Sequence, residues 1–184
     1  MQGKIGVDST AGEGSTFYFT AQLGLQQEQP LQAAVNQIPQ LKGMRVLVVD
    51  DNASARDIMV TMLNGLKFEP VAVESGAAAI QALQQSQAET KPYGLVLMDW
   101  QMPGMDGVET IKRIQDDTSL KQAPAFIMAT AFSGEELVQQ AKDQGISYQG
   151  VLVKPMSPST LLDGIVTLFG KDSILEDRQT GQRS

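Results

Sequence analysis

Four short apolar runs divide the middle of the chain, and each run ends at a polar residue. They are Met44–Val49 before Asp50-Asp51, Leu95–Met98 before Asp99, Ala125–Ala129 before Thr130, and Val151–Val153 before Lys154. Segments with helical periodicity separate the runs, so the pattern predicts parallel strands joined by helical crossovers. Because the carboxyl ends of such strands share one edge of the sheet, we expect the polar ends to line one pocket.

Capping residues and apolar spacing predict five helices between and after these strands. The predicted caps are Asn52, Asp106, Ser133 and Ser157, and the second helix is expected from Ser75 to about Gln85. Asp106 and Ser133 each precede a Glu by three residues, which is the capping-box spacing. The first helix has an apolar stripe made of Ala55, Ile58, Met59, Met62, Leu63 and Leu66. Gly145 is expected to end the fourth helix, and Pro158 to begin a fifth that continues through Phe169.

A further strand, Phe68–Glu74, contains Pro70, which is tolerated on edge strands and rarely in central ones. The strand order 2-1-3-4-5, known from doubly wound folds, puts this strand at an edge. The predicted fold class is therefore α/β, with a doubly wound, flavodoxin-like sheet of five parallel strands and five helices.

The chain divides into four predicted parts. Residues 1–25 alternate apolar and polar positions around Gly12 and Gly14, which predicts a β-hairpin of the kind that belongs to a larger sheet. Residues 26–42, with six Gln and two Pro, predict a linker. Residues 43–171 form the main domain, and residues 172–184 form a polar tail.

Composition excludes several kinds of function. The formal charge of −7 argues against nucleic acid and anionic membranes as partners. Without Cys there is no disulfide or thiolate metal site, and no apolar stretch is long enough to cross a membrane. Without His there is no Ser-His-Asp chemistry and no phosphohistidine within this chain. A phosphohistidine, if one is needed, must come from elsewhere.

Three carboxylates at adjacent strand ends are the strongest chemical signal. Asp50 and Asp51 alone could be a helix cap and its solvated neighbour, but Asp99 would lie beside them. Crowded carboxylates repel unless a cation neutralises them. Three Asp and Lys154 leave a net charge of −2, which one Mg²⁺ ion in an all-oxygen site would balance.

The segment around Asp99, Met-Asp-Trp-Gln-Met-Pro-Gly-Met-Asp-Gly, resembles the phosphorylation site of response-regulator receiver domains. The resemblance covers about residues 43–170 and implies that Asp99 is the phosphoacceptor. It also implies that Asp50, Asp51, Asp99 and the backbone carbonyl of Gln101 bind Mg²⁺. Lys154 would pair with the phosphoryl oxygens, and its bond to Pro155 would be cis.

The same resemblance makes Thr130 the switch hydroxyl, and Phe132 and Gln101 the residues that tune water access to the acyl phosphate. The alternatives are a strand-end Thr that caps the next helix and a Lys that fringes an edge strand. The family usually has an aromatic residue at the position of Val151, so this chain departs from the family there.

The first 25 residues resemble the end of a histidine-kinase ATPase domain, through Gly-Lys-Ile-Gly-Val-Asp-Ser and the Gly-x-Gly-Ser-Thr-Phe that includes Gly12 and Gly14. The resemblance implies that Gly12 and Gly14 are the remnant of a lid that closes over the nucleotide phosphates, and a plain hairpin turn is the alternative. The order of the parts implies a bacterial hybrid sensor histidine kinase. We expect this chain, without the upstream nucleotide-binding motifs, to bind no ATP and to catalyse only its own phosphorylation and dephosphorylation.

The leading hypothesis is a receiver that passes phosphoryl groups between a histidine kinase or histidine phosphotransfer domain and Asp99. The implied location is cytoplasmic, with an inner-membrane anchor and homodimerisation left open for the parent kinase. One alternative is a docking module that keeps the fold without phosphorylation. Another, a haloacid-dehalogenase-type phosphatase, would need an Asp where Gln101 stands.

Overall fold

The computed structural model describes residues 3–10, 12, 14–20, 38–89, 91–120, 123–131 and 134–180, with no side chains described for residues 171–180. Seven strands are present in these ranges, and they form two sheets. The strands are β1 (Ile5–Thr10), β2 (Gly14–Phe19), β3 (Arg45–Val49), β4 (Glu69–Val73), β5 (Tyr93–Asp99), β6 (Ala125–Thr130) and β7 (Gly150–Val153). The helices are α1 (Ala53–Gly65), α2 (Gly76–Ser86), α3 (Gly107–Asp116), α4 (Glu135–Gln144) and α5 (Pro158–Thr180).

The main sheet is parallel and has the order β4-β3-β5-β6-β7, which confirms the predicted doubly wound fold. Pro70 lies on the edge strand β4, opposite Val46. An edge position suits proline because proline has no N–H to donate, and on an edge strand every second N–H faces away from the sheet.

Helices cover both faces of this sheet, which is why its strands are nearly continuous apolar runs. Successive residues of β3 point to opposite faces: Val46 and Val48 join one buried cluster, and Leu47 and Val49 join the other. The first cluster includes residues of α1 and α5, and the second includes residues of α2, α3 and α4. The two clusters fix the strand ends relative to one another.

The predicted helix caps are confirmed at three positions. The side chains of Asn52, Asp106 and Ser157 each accept a hydrogen bond from a backbone N–H three residues later. Ser75, expected as the first residue of the second helix, caps α2 in the same way. Gly145 ends α4 in the left-handed conformation, at φ 66°. Ser133 lies outside the described residues.

Two boundaries differ from the sequence analysis. Leu41, assigned to the linker, is fully buried in the core, at the end of the 3₁₀ helix Pro39–Leu41. The last helix ends at Thr180 rather than Phe169. Its apolar periodicity stops before Gly170, but the following Lys, Leu, Glu, Arg and Gln residues favour helix intrinsically.

The second sheet is the predicted N-terminal hairpin, in which β1 pairs antiparallel with β2. Ile5 lies opposite Phe19 and Val7 opposite Phe17, so these four side chains share one face. All four are more than half exposed. Gly12 and Gly14 have φ values of 88° and 107°, which glycine adopts readily in a tight turn. In the part of the chain that the structure describes, no helix is long and apolar enough to span a bilayer.

Candidate functional site

The polar ends of β3, β5, β6 and β7 meet at one edge of the main sheet, as the sequence predicts. They line an open cavity of about 370 Å³. The predicted residues that line it are Asp50, Asp51, Asp99, Gln101, Thr130 and Lys154. The cavity is open and carries three carboxylates and one ammonium group, so it suits a small charged group rather than a large apolar ligand.

Lys154 holds two of the carboxylates together. Its Nζ donates to Asp50 Oδ2 at 2.5 Å and to Asp99 Oδ1 at 2.6 Å. Its backbone N–H donates to the Thr130 carbonyl at 2.7 Å, which fixes the end of β7 against β6, and the bond to Pro155 is cis. Burial lowers the pKa of Lys154, but the hydrogen bonds and the negative charges of Asp50 and Asp99 together outweigh burial and leave the pKa raised. Lys154 is therefore a stable cation in the cavity.

Asp99 is the last residue of β5, and only 9% of it is exposed. Burial raises its pKa above the ordinary value, and the charges of Asp50 and Asp51 act in the same direction. The hydrogen bond and charge of Lys154 oppose that rise without cancelling it. A further cation at this position would stabilise the Asp99 carboxylate, because opposite charges favour the ionised form.

The three carboxylates form a candidate metal centre. Asp50, Asp51 and Asp99 each offer one oxygen, and these oxygens lie within 4.8 Å of one another. Asp50 is buried and held in place, since its Oδ1 accepts from the Asn52 N–H at 2.9 Å. Asp51 is exposed, so a bound ion could keep water ligands. Hard divalent cations prefer such oxygen sets, and Mg²⁺ usually keeps several waters. The donor set therefore fits Mg²⁺.

The loop after Asp99 is fixed by its backbone. The Trp100 N–H donates to the Ala129 carbonyl at 2.9 Å, and the Trp100 carbonyl accepts from the Gly107 N–H at 2.8 Å. A Cβ added to Gly107 would lie only 2.3 Å from the Asp99 carbonyl oxygen. Helix α3 can therefore approach the acidic site this closely only because glycine occupies its first position.

The remaining predicted residues fall in different places. Thr130 is buried at the end of β6 and lines the cavity. Val151 does not line the cavity but packs against the cluster beneath α4. Gly12 and Gly14 belong to the hairpin turn, and Phe132 lies outside the described residues.

Sequence reasoning missed two residues that support the site. Arg56, on the first turn of α1, donates from Nη1 to the Asp50 carbonyl at 2.6 Å. Gln140, on α4, contacts Trp100 and Asp106 through its side-chain amide. Each lies within a polar helix surface, where the sequence pattern carries no sign of a specific partner. Gly107 entered the sequence analysis only as the last residue of the motif around Asp99, and its close approach to the Asp99 carbonyl was not predicted.

Comparison with known proteins gives consistent results. Residues 46–166 match the response regulator receiver domain family. Chemotaxis protein CheY-3 of Vibrio cholerae is 32% identical over 129 residues, which cover 70% of this chain and 93% of that protein. Chemotaxis protein CheY1 of Helicobacter pylori is 33% identical over 128 residues, or 69% of this chain and 98% of that protein.

Two solved structures have the same fold. Chemotaxis protein CheY4 of Vibrio cholerae is 28% identical, with a TM-score of 0.57 over 68% of this chain and 98% of that one. The receiver domain of the sensor histidine kinase PA1611 from Pseudomonas aeruginosa, solved with a magnesium ion in its active site cleft, is 21% identical. Its TM-score is 0.59 over 70% of this chain and 98% of that one. The chain thus belongs to the response regulator receiver domain family of two-component signalling.

Proposed function

We propose that Asp99 accepts a phosphoryl group from a phosphohistidine, with Mg²⁺ bound, as one step of a hybrid-kinase phosphorelay. The observation that carries this proposal is the juxtaposition of Asp99 with two further carboxylates and one ammonium group in an open cavity. A lone buried carboxylate would be a poor acceptor of an anionic group, because like charges repel. Here Lys154 already offsets part of that charge.

The reaction forms a bond between a carboxylate oxygen of Asp99 and phosphorus, while the bond from phosphorus to the donor nitrogen breaks. The donor imidazole leaves with the bonding electron pair and takes up a proton. Asp50, Asp51, Asp99 and the Gln101 carbonyl would hold Mg²⁺, which supplies neutralisation of the phosphoryl charge. Lys154 would then pair with the phosphoryl oxygens, and Thr130, which lines the same cavity, would donate its hydroxyl to them. Positioning and charge neutralisation are the main requirements of phosphoryl transfer.

The donor must be a histidine outside this chain, since the chain has none. The hairpin supports a parent histidine kinase. Its apolar face, formed by Ile5, Val7, Phe17 and Phe19, is what a fragment of a larger packed sheet would expose. In this proposal the receiver meets a histidine kinase or phosphotransfer domain in the cytoplasm, and any homodimer forms through the parent kinase.

Intact-mass spectrometry after incubation with acetyl phosphate and Mg²⁺ tests the proposal. The wild-type chain should gain one HPO₃ unit, and Asp99→Asn should gain none. Asp116→Asn is the matched control, because Asp116 is an exposed acid at the last residue of α3. An unmodified wild type would instead favour a docking module that keeps the fold without phosphorylation.

A further inference from the structure

A single glutamine side chain connects the loop after Asp99 to helix α4. Gln140 Oε1 accepts from the Trp100 indole Nε1–H at 2.8 Å. Gln140 Nε2 donates to Asp106 Oδ2, also at 2.8 Å. The other oxygen of Asp106, Oδ1, accepts from the Glu109 N–H at 2.7 Å and so caps α3. One amide therefore joins three elements of the domain.

The chemistry of the two partners requires an amide at this position. An indole nitrogen is only a donor, and an ionised carboxylate is only an acceptor. The residue between Trp100 and Asp106 must therefore accept at one end and donate at the other. Glutamate could accept from the indole, but it would face Asp106 with a like charge. Leucine would leave both partners without this contact.

The bridge is anchored at both ends. Trp100 is 6% exposed, follows Asp99 directly, and is fixed by backbone hydrogen bonds to Ala129 and Gly107. On α4, Gln140 lies on the same helical face as the fully buried Leu137 and next to the buried Ala141. A shift of the loop after Asp99 would thus pull directly on α4, or break the bridge.

We propose that Gln140 is a positioning residue that couples the state of Asp99 to the position of helix α4. The inference rests on the proposed function of Asp99 for its physiological trigger. It also gives this chain a connection to α4 that does not need an aromatic side chain at Val151, where the resemblance implies one.

Three variants separate the contributions of the bridge. Gln140→Leu removes both hydrogen bonds, and Gln140→Glu keeps the acceptor for Trp100 but removes the donor to Asp106. Gln139→Leu is the matched control: Gln139 is exposed on the same helix, and its side chain donates to Asp143, one turn further along. Trp100 is the only tryptophan in the chain, so its indole N–H gives one unambiguous NMR signal.

The readout is amide hydrogen exchange of α4 with and without phosphorylation by acetyl phosphate and Mg²⁺. In wild type and Gln139→Leu, phosphorylation should change exchange in α4 by a factor in the range of about 5 to 150, as is typical of coupled sites. In both Gln140 variants the change should fall below about twofold. The indole signal should shift in Gln140→Leu and stay near wild type in Gln140→Glu. An α4 response in the Gln140 variants equal to that of Gln139→Leu would overturn the inference.

A second perturbation separates this inference from the proposed function. If wild type forms no phosphate adduct, the proposed function fails. The coupling is then decided by Asp99→Asn, which removes the charge facing Lys154 without any phosphoryl chemistry. Asp99→Asn should change exchange in α4 when it is introduced into the wild type. It should leave exchange in α4 unchanged when it is introduced into Gln140→Leu. An equal change in both backgrounds would overturn the coupling.

Discussion

Replacing Gly107 with alanine tests how closely helix α3 is fitted to the phosphoacceptor site. The added Cβ would lie 2.3 Å from the Asp99 carbonyl oxygen and 3.0 Å from side-chain carbons of Met98 and Met128. The first contact is with backbone, which cannot rotate away as a side chain can. The start of α3 must therefore move, and this strains the 2.8 Å hydrogen bond from the Gly107 N–H to the Trp100 carbonyl.

The expected loss of stability follows from three terms. Overpacking of a fitted core costs about 1–3 kcal/mol, and weakening one buried hydrogen bond costs about 1 kcal/mol. Alanine in a helix regains up to about 1 kcal/mol relative to glycine. The net loss is about 1–4 kcal/mol, which for a chain of this size lowers Tm by about 2–16 °C.

Thermal unfolding measures this loss, and the rate of phosphorylation by acetyl phosphate reports displacement of Asp99. Gly65→Ala is the matched control, because Gly65 is also helical and its Cβ would meet no heavy atom within 4 Å. That variant should be as stable as wild type or up to about 1 kcal/mol more stable. If Gly107→Ala matched Gly65→Ala in both Tm and phosphorylation rate, the close fit of α3 to Asp99 would be refuted.

Three further predictions concern phosphorylation and Mg²⁺ binding. Lys154→Met should slow phosphorylation at least about 100-fold, because it removes a donor that stabilises the charge of the transferred group. Its Mg²⁺ affinity, measured by titration calorimetry, should not fall. An unchanged phosphorylation rate would contradict the role of Lys154. Mg²⁺ at 100 times its Kd should stabilise the wild type against unfolding by about 2.7 kcal/mol. EDTA should reverse this stabilisation, and Asp51→Asn should largely remove it. A rise in Tm with Mg²⁺ that is equal in Asp51→Asn and wild type would exclude Asp51 as a ligand. Phe132→Ala should accelerate loss of the phosphoryl group by admitting water, and an unaltered half-life by mass spectrometry would rule out shielding by Phe132.

Much of the fold could be predicted because local signals and global packing agree. The continuous apolar runs indicated strands covered on both faces, and Pro70 pointed to the edge position that β4 occupies. Side-chain caps such as Asn52 and Asp106 act within one helical turn, so sequence spacing alone revealed them. The meeting of Asp50, Asp99 and Lys154 follows from topology, because parallel strands place their carboxyl ends together.

The parts that sequence did not reveal depend on contacts between distant segments. Leu41 lies in a segment of linker-like composition, and only the completed core shows that it is fully buried. Gln140 is one of several glutamines on a polar helix, and its partner Trp100 is 40 residues away. The fit of Gly107 to the Asp99 carbonyl depends on a distance in space, which no spacing in the sequence encodes.

The central claim is that Asp99 carries the phosphoryl group, and chemical trapping tests it most directly. The chain is incubated with acetyl phosphate and Mg²⁺, reduced with borohydride, digested and mapped by tandem mass spectrometry. Reduction converts an aspartyl phosphate to homoserine, since the acyl phosphate is an activated carboxyl group. The account predicts homoserine at position 99 and unmodified aspartate at Asp50 and Asp51. Homoserine at either of those positions, or at none of the three, would contradict it.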